Sequence, residues 1–328
     1  MKPLSAWKAF HVYYHEDRRR LLNDGIQPLI ADLKDRNLVG RWFFVLYGLG
    51  GPHVRLRLEC SGPPSALDDR VETSLGEFLS TTPSEQALDS TVALQITERL
   101  CAGDPNESDT TLYPDNHLRP APFLPEVERY GGAEGLDAHL TLFAASSRRA
   151  LRHHGQFAQA SRARRYTDLL SALLDQALGL ANNVEHASAL LGYAEAWWGD
   201  SYPTMVEKAR HVAGSQGEVL AHLLSGRLDS AEGSLSQNVG SAEDSGNLFI
   251  AGRRFREELA EDHSLPDASA FSQLHMTANR FAVGNPEEVY VACLARSILG
   301  DAGDASRQRL GKIMAARFPG RSVAKRAS

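Results

Sequence analysis

An apolar hexamer, Trp42-Phe43-Phe44-Val45-Leu46-Tyr47, runs into a glycine-proline turn and comes out as an alternating segment, His53-Val54-Arg55-Leu56-Arg57-Leu58. Few folds accommodate that succession. The unbroken apolar run suits a strand buried on both faces. Gly48-Leu49-Gly50-Gly51-Pro52 makes the turn, since glycine reaches backbone conformations closed to other residues. The segment after it returns antiparallel. Side chains alternate across a strand, so Val54, Leu56 and Leu58 share one face and His53, Arg55 and Arg57 the other. Two guanidinium groups two residues apart on one face lie roughly 7 Å from each other. That spacing grips one carboxylate or phosphate from two sides, because each arginine offers a planar fork of donors. An edge strand with a solvated basic face satisfies the same spacing.

Composition narrows the function classes. With 328 residues the chain can bury a large core, and 42% hydrophobic with 23% charged residues is ordinary for a soluble protein. The formal net charge of −6 argues against a surface built for nucleic acid. Any anion site is therefore a local basic pocket on an acidic background. Cys60, Cys101 and Cys293 match neither a disulfide framework nor zinc spacing, which points to a reducing cytoplasm. The N-terminus lacks the apolar run of a signal peptide, and no stretch reaches membrane-span length. The twelve histidines are scattered, with no His-Glu-x-x-His pair. No metal, cofactor or nucleotide motif is found, and none is expected.

Along the chain, Phe10 to Tyr14 reads as a first strand, and a helix opens after His15-Glu16-Asp17, interrupted by Gly25 and Pro28. A second helix starts at Pro63-Pro64. Val92 to Leu100 fits helix or strand, residues 103–108 a loop, and Leu118 to Leu124, with two prolines, an edge strand or extended loop. Beyond Tyr130-Gly131-Gly132 the pattern is helical throughout, with apolar stripes separated by cap signals. The expected fold is α+β: a mainly antiparallel sheet lobe with flanking helices over 1–130, a helical lobe over 131–318, and a frayed basic tail over 319–328.

Two further stretches carry chemistry. In Pro125-Glu126-Val127-Glu128-Arg129-Tyr130-Gly131-Gly132, one helical turn would set Glu126 beside Arg129 at the junction of the lobes. A surface ion pair before a helix-entry turn reads the same way. In Leu274-His275-Met276-Thr277-Ala278-Asn279-Arg280, a helix puts His275 and Asn279 on one face. His275 is then either a satisfied structural histidine or a group that moves protons near neutral pH.

The three stretches in this order, GPHVRLRL, PEVERYGG and LHMTANR, resemble the C-terminal domain of lantibiotic dehydratases, a family that also holds free-standing thiopeptide-type bacteriocin biosynthesis proteins. The resemblance spans nearly the whole chain. It implies elimination of glutamate from glutamylated Ser or Thr of a ribosomal precursor peptide, leaving dehydroalanine or dehydrobutyrine. The family's Arg-x-Arg strand falls on Arg55 and Arg57, its Glu-x-x-Arg-Tyr-Gly-Gly segment on Glu126 and Arg129, and its late histidine on His275. Lantibiotic members often read Ile-Arg-Tyr before the turn, where this chain has Val45-Leu46-Tyr47, and the turn is closer to the thiopeptide-type branch. The roles so implied make His275 the proton-transfer group, with Arg57 and Arg129 stabilising developing charge. Arg55, His53, Glu126, Tyr130 and Asn279 hold the substrate.

The resemblance also implies a separate glutamyl-tRNA-dependent partner, because the large glutamylating portion of full-length dehydratases is not in this chain. Contact with the tRNA or with a membrane is not expected. The leader could bind by strand addition to the sheet lobe. A relative within thiopeptide pathways instead joins two dehydroalanines in a formal [4+2] cycloaddition, losing water and the leader to form a pyridine. On that reading Tyr13, Tyr14, Tyr47 and Tyr130 become proton shuttles. A third reading is a non-catalytic subunit that presents the leader to an enzyme. Trp197-Trp198 is expected as core or interlobe contact. The runs Arg148-Arg149, His153-His154 and Arg162 to Arg165 read as solvated faces, and Arg253, Arg254 and Arg256 as a possible leader groove.

Overall fold

The structure, a computed structural model, describes residues 6–85, 89, 91–95, 111–156, 161–236, 246–259 and 267–315. Cys101, the loop at 103–108 and the tail from 319 lie outside the described residues. Residues 91–95 are helical.

Strand β1 (Trp7–Tyr13) leads into a helical passage of three parts: α1 (Arg18–Arg20), a π-helical segment (Leu21–Ile26) and α2 (Gln27–Asp35). Asp17 caps its start by accepting a hydrogen bond from the Arg19 backbone N–H. Pro28 lies in the first turn of α2, where its missing N–H costs nothing, so the interruption read from sequence is a local widening and not a break. Next come β2 (Val39–Tyr47), β3 (His53–Cys60), α3 (Pro64–Thr81) and β4 (His117–Ala121).

The four strands form one antiparallel sheet in the order β2-β3-β1-β4. Its apolar face carries Phe10, Val12, Phe44, Leu46, Val54, Leu56 and Leu58, packed in one core with Leu22 and Ile26 of the π-helical segment and Val71 and Leu75 of α3. The turn between β2 and β3 depends on Gly50 (φ +76°) and Gly51 (φ +110°). A Cβ at Gly50 would meet the Thr111 carbonyl at 2.8 Å, and one at Gly51 the His15 imidazole at 2.9 Å.

Among the described residues these helices follow: α4 (Gly132–Gln156), α5 (Arg162–Leu180), α6 (Val184–Leu191), α7 (Tyr193–Trp198), α8 (Pro203–Ser215), α9 (Gly217–Ser236), α10 (Leu248–Leu259), α11 (Asp267–Arg280), α12 (Asn285–Gly300) and α13 (Asp304–Ala315). The α+β class holds, and the core runs continuously from sheet to helices.

Strand β2 sits at the sheet margin, and Phe43 and Phe44, on its opposite faces, are both buried, as the apolar run implies. What hides it is the helical lobe. Ser147 of α4 accepts from the Phe44 N–H (3.1 Å), and Arg280 Nε of α11 donates to the Phe44 carbonyl (2.9 Å). Asn279 Oδ1 accepts from the Leu46 N–H (2.9 Å) and its Nδ2 donates to the Leu46 carbonyl (2.8 Å). Side chains thus replace a fifth strand. His153 and His154 are buried rather than solvated: His153 pairs with Asp168 at 3.0 Å, and His154 Nε2 lies 2.9 Å from the Arg280 carbonyl. Arg253 is 1% exposed and lines no surface groove.

Candidate functional site

The face of the sheet opposite the core is polar, and strand register assembles it. Arg55 pairs with His11, and His11 with Arg119, so these three form one row across β3, β1 and β4. The next row is Tyr47, His53, Tyr13 and His117. Arg57 lies in the row on the other side, between Phe43 and Ala9. Three guanidinium groups therefore surround one imidazole on a half-buried surface.

Contacts fix their orientation. The Arg55 guanidinium lies 3.6 Å from the Tyr47 ring centroid, and its Nε is 3.4 Å from His53 Nε2. His53 Nδ1 is 2.8 Å from the Gly51 carbonyl, so Nδ1 carries the proton and Nε2 accepts. Arg57 Nη2 lies 3.3 Å from His11 Nε2. Burial, then the charges of Arg57, His53, Arg55 and Arg119, push the His11 pKa down to about 2. His53 falls to about 3, burial again first. Both rings are neutral acceptors near neutral pH. Arg119 lies 4.4 Å from the Tyr113 ring centroid and hydrogen-bonds Tyr13, whose pKa burial raises to about 12.

Aromatic residues bound this surface at the Arg57 end. Trp7, Phe43, Tyr130 and Phe143 form a cluster with Phe123, Val127 and Met276 against it. The Tyr130 ring lies 4.4 Å from that of His139 at a tilt of 47°, and its hydroxyl hydrogen-bonds Ser272 of α11. Glycines at positive φ, Gly131 (+78°) and Gly132 (+79°), turn the chain into α4 directly after it. Glu126 and Arg129 form a 2.8 Å ion pair with side chains 41% and 56% exposed.

His275 lies on α11. Its Nδ1 is 3.0 and 2.9 Å from the two carboxylate oxygens of Glu288, a residue 2% exposed that also accepts from the Tyr193 hydroxyl. Trp197 and Trp198 flank the imidazole at 6.4 and 6.3 Å. Trp197 is 46% exposed and forms a rim beside His275, whereas Trp198 is partly buried against the core, as expected. The contacts of His275 are with Glu288, Trp197 and Trp198. Its helix follows the β2 margin: Ser272 reaches Tyr130, Met276 packs with Phe43 and Val45, and Asn279 reaches Leu46. A cavity of about 370 Å³ lined by Arg18, Tyr47, Gly51, Pro52, Asn279 and Gly284 opens beside the β2–β3 turn.

Register thus gathers Arg55, Arg57 and His53. Tyr130 closes one end of their surface, with Glu126 and Arg129 on the exposed approach. The Asn279 amide is committed to the sheet margin, and Tyr14 faces the core, its hydroxyl on the Thr82 carbonyl. His11, Arg119, Tyr113 and Glu288 escaped the sequence reading. Alternation through β1 could have flagged His11. The edge strand read over Leu118 to Leu124 corresponds to β4, but only its register with β1 brings Arg119 beside His11, and Glu288 lies on a different helix from His275. Among the described residues, no group of three or more His, Cys, Asp or Glu side chains could hold a metal, and no helix is long and apolar enough to cross a membrane.

A family model described as lantibiotic biosynthesis dehydratase C-term matches residues 7–299. No curated protein matches. Among solved structures the chain is similar to TbtD, a pyridine synthase from thiomuracin biosynthesis, with a TM-score of 0.71, 19% identity, and coverage of 90% of this chain and 97% of that one. It is also similar to MibB, a tRNA-dependent lantibiotic dehydratase from Microbispora sp. 107891: TM-score 0.56, 18% identity, covering 90% of this chain and 28% of that one. For TsrL the TM-score is 0.52 at 15% identity, over 95% of this chain and 99% of that one. At these identities the likenesses concern the fold.

Proposed function

The chain belongs to the lantibiotic biosynthesis dehydratase C-terminal family, and on that premise we propose that it eliminates glutamate from glutamylated Ser or Thr of a precursor peptide. The observation that carries this reading is the guanidinium surface formed by Arg55, Arg57 and Arg119 around a neutral His11 on an acidic chain. Such a surface suits a substrate with a free carboxylate.

The chemistry needs a base at the Cα proton and cations near the leaving group. In a glutamyl-serine ester the free carboxylate and the acidic Cα–H are separated by about two residues of chain, roughly 7 Å. Clamp and base therefore need not touch. Arg55 and Arg57 hold the carboxylate, with Arg119 as a third arm. His275 Nε2 takes the Cα proton, the C–H electron pair becomes the Cα–Cβ double bond, and the Cβ–O bond breaks to release glutamate. Arg129, held by Glu126, meets the negative charge that develops on the way. His53 and Tyr130 bound the substrate on either side. Glutamate is attached beforehand by a separate tRNA-dependent protein.

The test is incubation with a synthetic precursor peptide glutamylated at serine, read by mass spectrometry. Loss of glutamate supports elimination. His275→Ala should slow turnover about 10²–10⁴-fold, roughly 3–5 kcal/mol of barrier, and Arg57→Ala should weaken substrate binding and turnover together. Unchanged turnover in both variants refutes the assignment.

A second reading, pyridine formation from two dehydroalanines, is favoured by one observation: the likeness to TbtD extends over 97% of that chain. Such a reaction calls mainly for positioning and proton shuttling, and Tyr13, Tyr47 and Tyr113 lie on the polar face. Incubating the dehydrated peptide in parallel distinguishes the two, because loss of water together with the leader reports the pyridine. Capture of the peptide without turnover of either form, unaltered by His275→Ala, would instead indicate a leader-presenting subunit.

A further inference from the structure

We propose that Glu288 is the positioning residue of His275, itself anchored by Tyr193, so that the imidazole presents Nε2 to the substrate. The proposal rests on the reading of His275 as the proton-transfer group. Both Glu288 carboxylate oxygens lie within 3.0 Å of His275 Nδ1. Carboxylate oxygens accept, so Nδ1 is the donor in this contact, and in the neutral ring that places the lone pair on Nε2.

Burial makes this orientation firm. Glu288 is 2% exposed, in the first turn of α12, where the helix N-terminus favours a negative charge. Its other partner is the Tyr193 hydroxyl, and burial and the Glu288 charge both hold the Tyr193 pKa well above its ordinary value. Tyrosine thus stays a donor and does not compete with the imidazole for the role of base. Carboxylate, phenol and imidazole come from α12, α7 and α11, so the fold and not the local sequence builds the group. Trp197 and Trp198 leave the ring an opening: the His275 side chain is 28% exposed.

The arrangement matters once the proton moves. When Nε2 takes the Cα proton and glutamate departs with the Cβ–O electron pair, the imidazolium left behind faces a buried carboxylate. Its charge is stabilised without any rearrangement of water. The proton then passes from Nε2 to solvent through the exposed edge of the ring. A merely structural Glu288 would tie three helices together and do nothing to the rate constant.

The test uses the full chain and a synthetic peptide carrying a glutamyl ester on one serine. Glu288→Gln should lower kcat about 100-fold with KM changed less than threefold. Glu288→Asp should recover a large part of that loss, and Tyr193→Phe should cost a smaller factor. Nitrogen-15 histidine spectra give a reading independent of activity: the wild type should show the Nδ1–H tautomer at His275, and Glu288→Gln a mixture. A tautomer unmoved by Glu288→Gln, or kcat within threefold of wild type, overturns the positioning role. If Glu288→Gln does not fold, the wild-type spectrum decides: an Nε2–H tautomer at His275 overturns the positioning role. Full turnover by His275→Ala refutes the underlying reading instead, and is separable because the spectra still report whether Glu288 orients the ring.

Discussion

Arg55 is held by a ring. Its guanidinium lies 3.6 Å from the Tyr47 centroid while His53 Nε2 accepts from its Nε. A cation over an aromatic face is worth about 0.5–2 kcal/mol, and here it sets the direction of the clamp. Tyr47→Ala should therefore raise KM for the glutamylated peptide about threefold to thirtyfold, with kcat changed less. Tyr47→Phe keeps the face and loses only the hydroxyl, so it should stay within about threefold of wild type. A Phe variant as impaired as the Ala variant would mean that the hydroxyl takes part in proton transfer, which would favour the pyridine-forming reading. Steady-state kinetics on the two variants decides between a stacking role and a shuttling role. His11 illustrates a different kind of control. Burial first, then the nearby arginines, keeps it neutral, so it accepts from Arg57 without adding a fourth positive charge to the clamp.

Strand β2 is an edge strand that never meets water as one. Asn279 makes with Leu46 the donor–acceptor pair that a neighbouring strand would make, across 233 residues of chain. Asn279→Ala leaves a backbone N–H and a carbonyl without partners, each costing about 1–3 kcal/mol if kept dry. The adjacent cavity admits some water, so the expected loss is about 1–3 kcal/mol in all, read by denaturant unfolding. Asn279→Asp should be worse than Ala, since it sets a carboxylate against the Leu46 carbonyl. An Ala variant as stable as wild type would show that these bonds carry no net stability. The same closure restricts leader binding: a peptide adding as a strand cannot use the β2 margin and is left with β4. Local pattern revealed the hairpin, the Arg-x-Arg face and the switch to helices at residue 130, because each is written in periodicity or turn chemistry. It could not reveal that Asn279, on the His275 face of α11, seals a sheet, nor that β4 delivers a third arginine. Both depend on partners distant in sequence.

At the scale of the whole chain, buried neutral histidines recur in both lobes and tie stability to pH. His53 belongs to the sheet, while His139 and His154, both on α4, pack where the helices meet it. Burial lowers their pKa values to about 3, 3 and 4, and that of His11 to about 2. In the unfolded chain each returns to about 6.5. Between those limits the unfolded state binds more protons than the folded one, so stability rises with pH there and is lost as pH falls. The loss should begin just below pH 6.5 and continue to about pH 3–4, where the folded-state groups begin to charge. Carboxylates held low by arginines, such as Asp32 beside Arg70 and Arg36, add to the fall at the acid end. The expected outcome is a Tm that declines steadily from pH 7 to pH 4, with net proton uptake on unfolding across that interval. His154 sits between α4 and the Arg280 carbonyl, one residue from the Asn279 clasp on β2. Charging it should loosen helices from sheet, so amide exchange in β2 should accelerate along with the fall in Tm. A Tm flat from pH 6.5 to 4.5 would refute this account of how sheet and helices are held together.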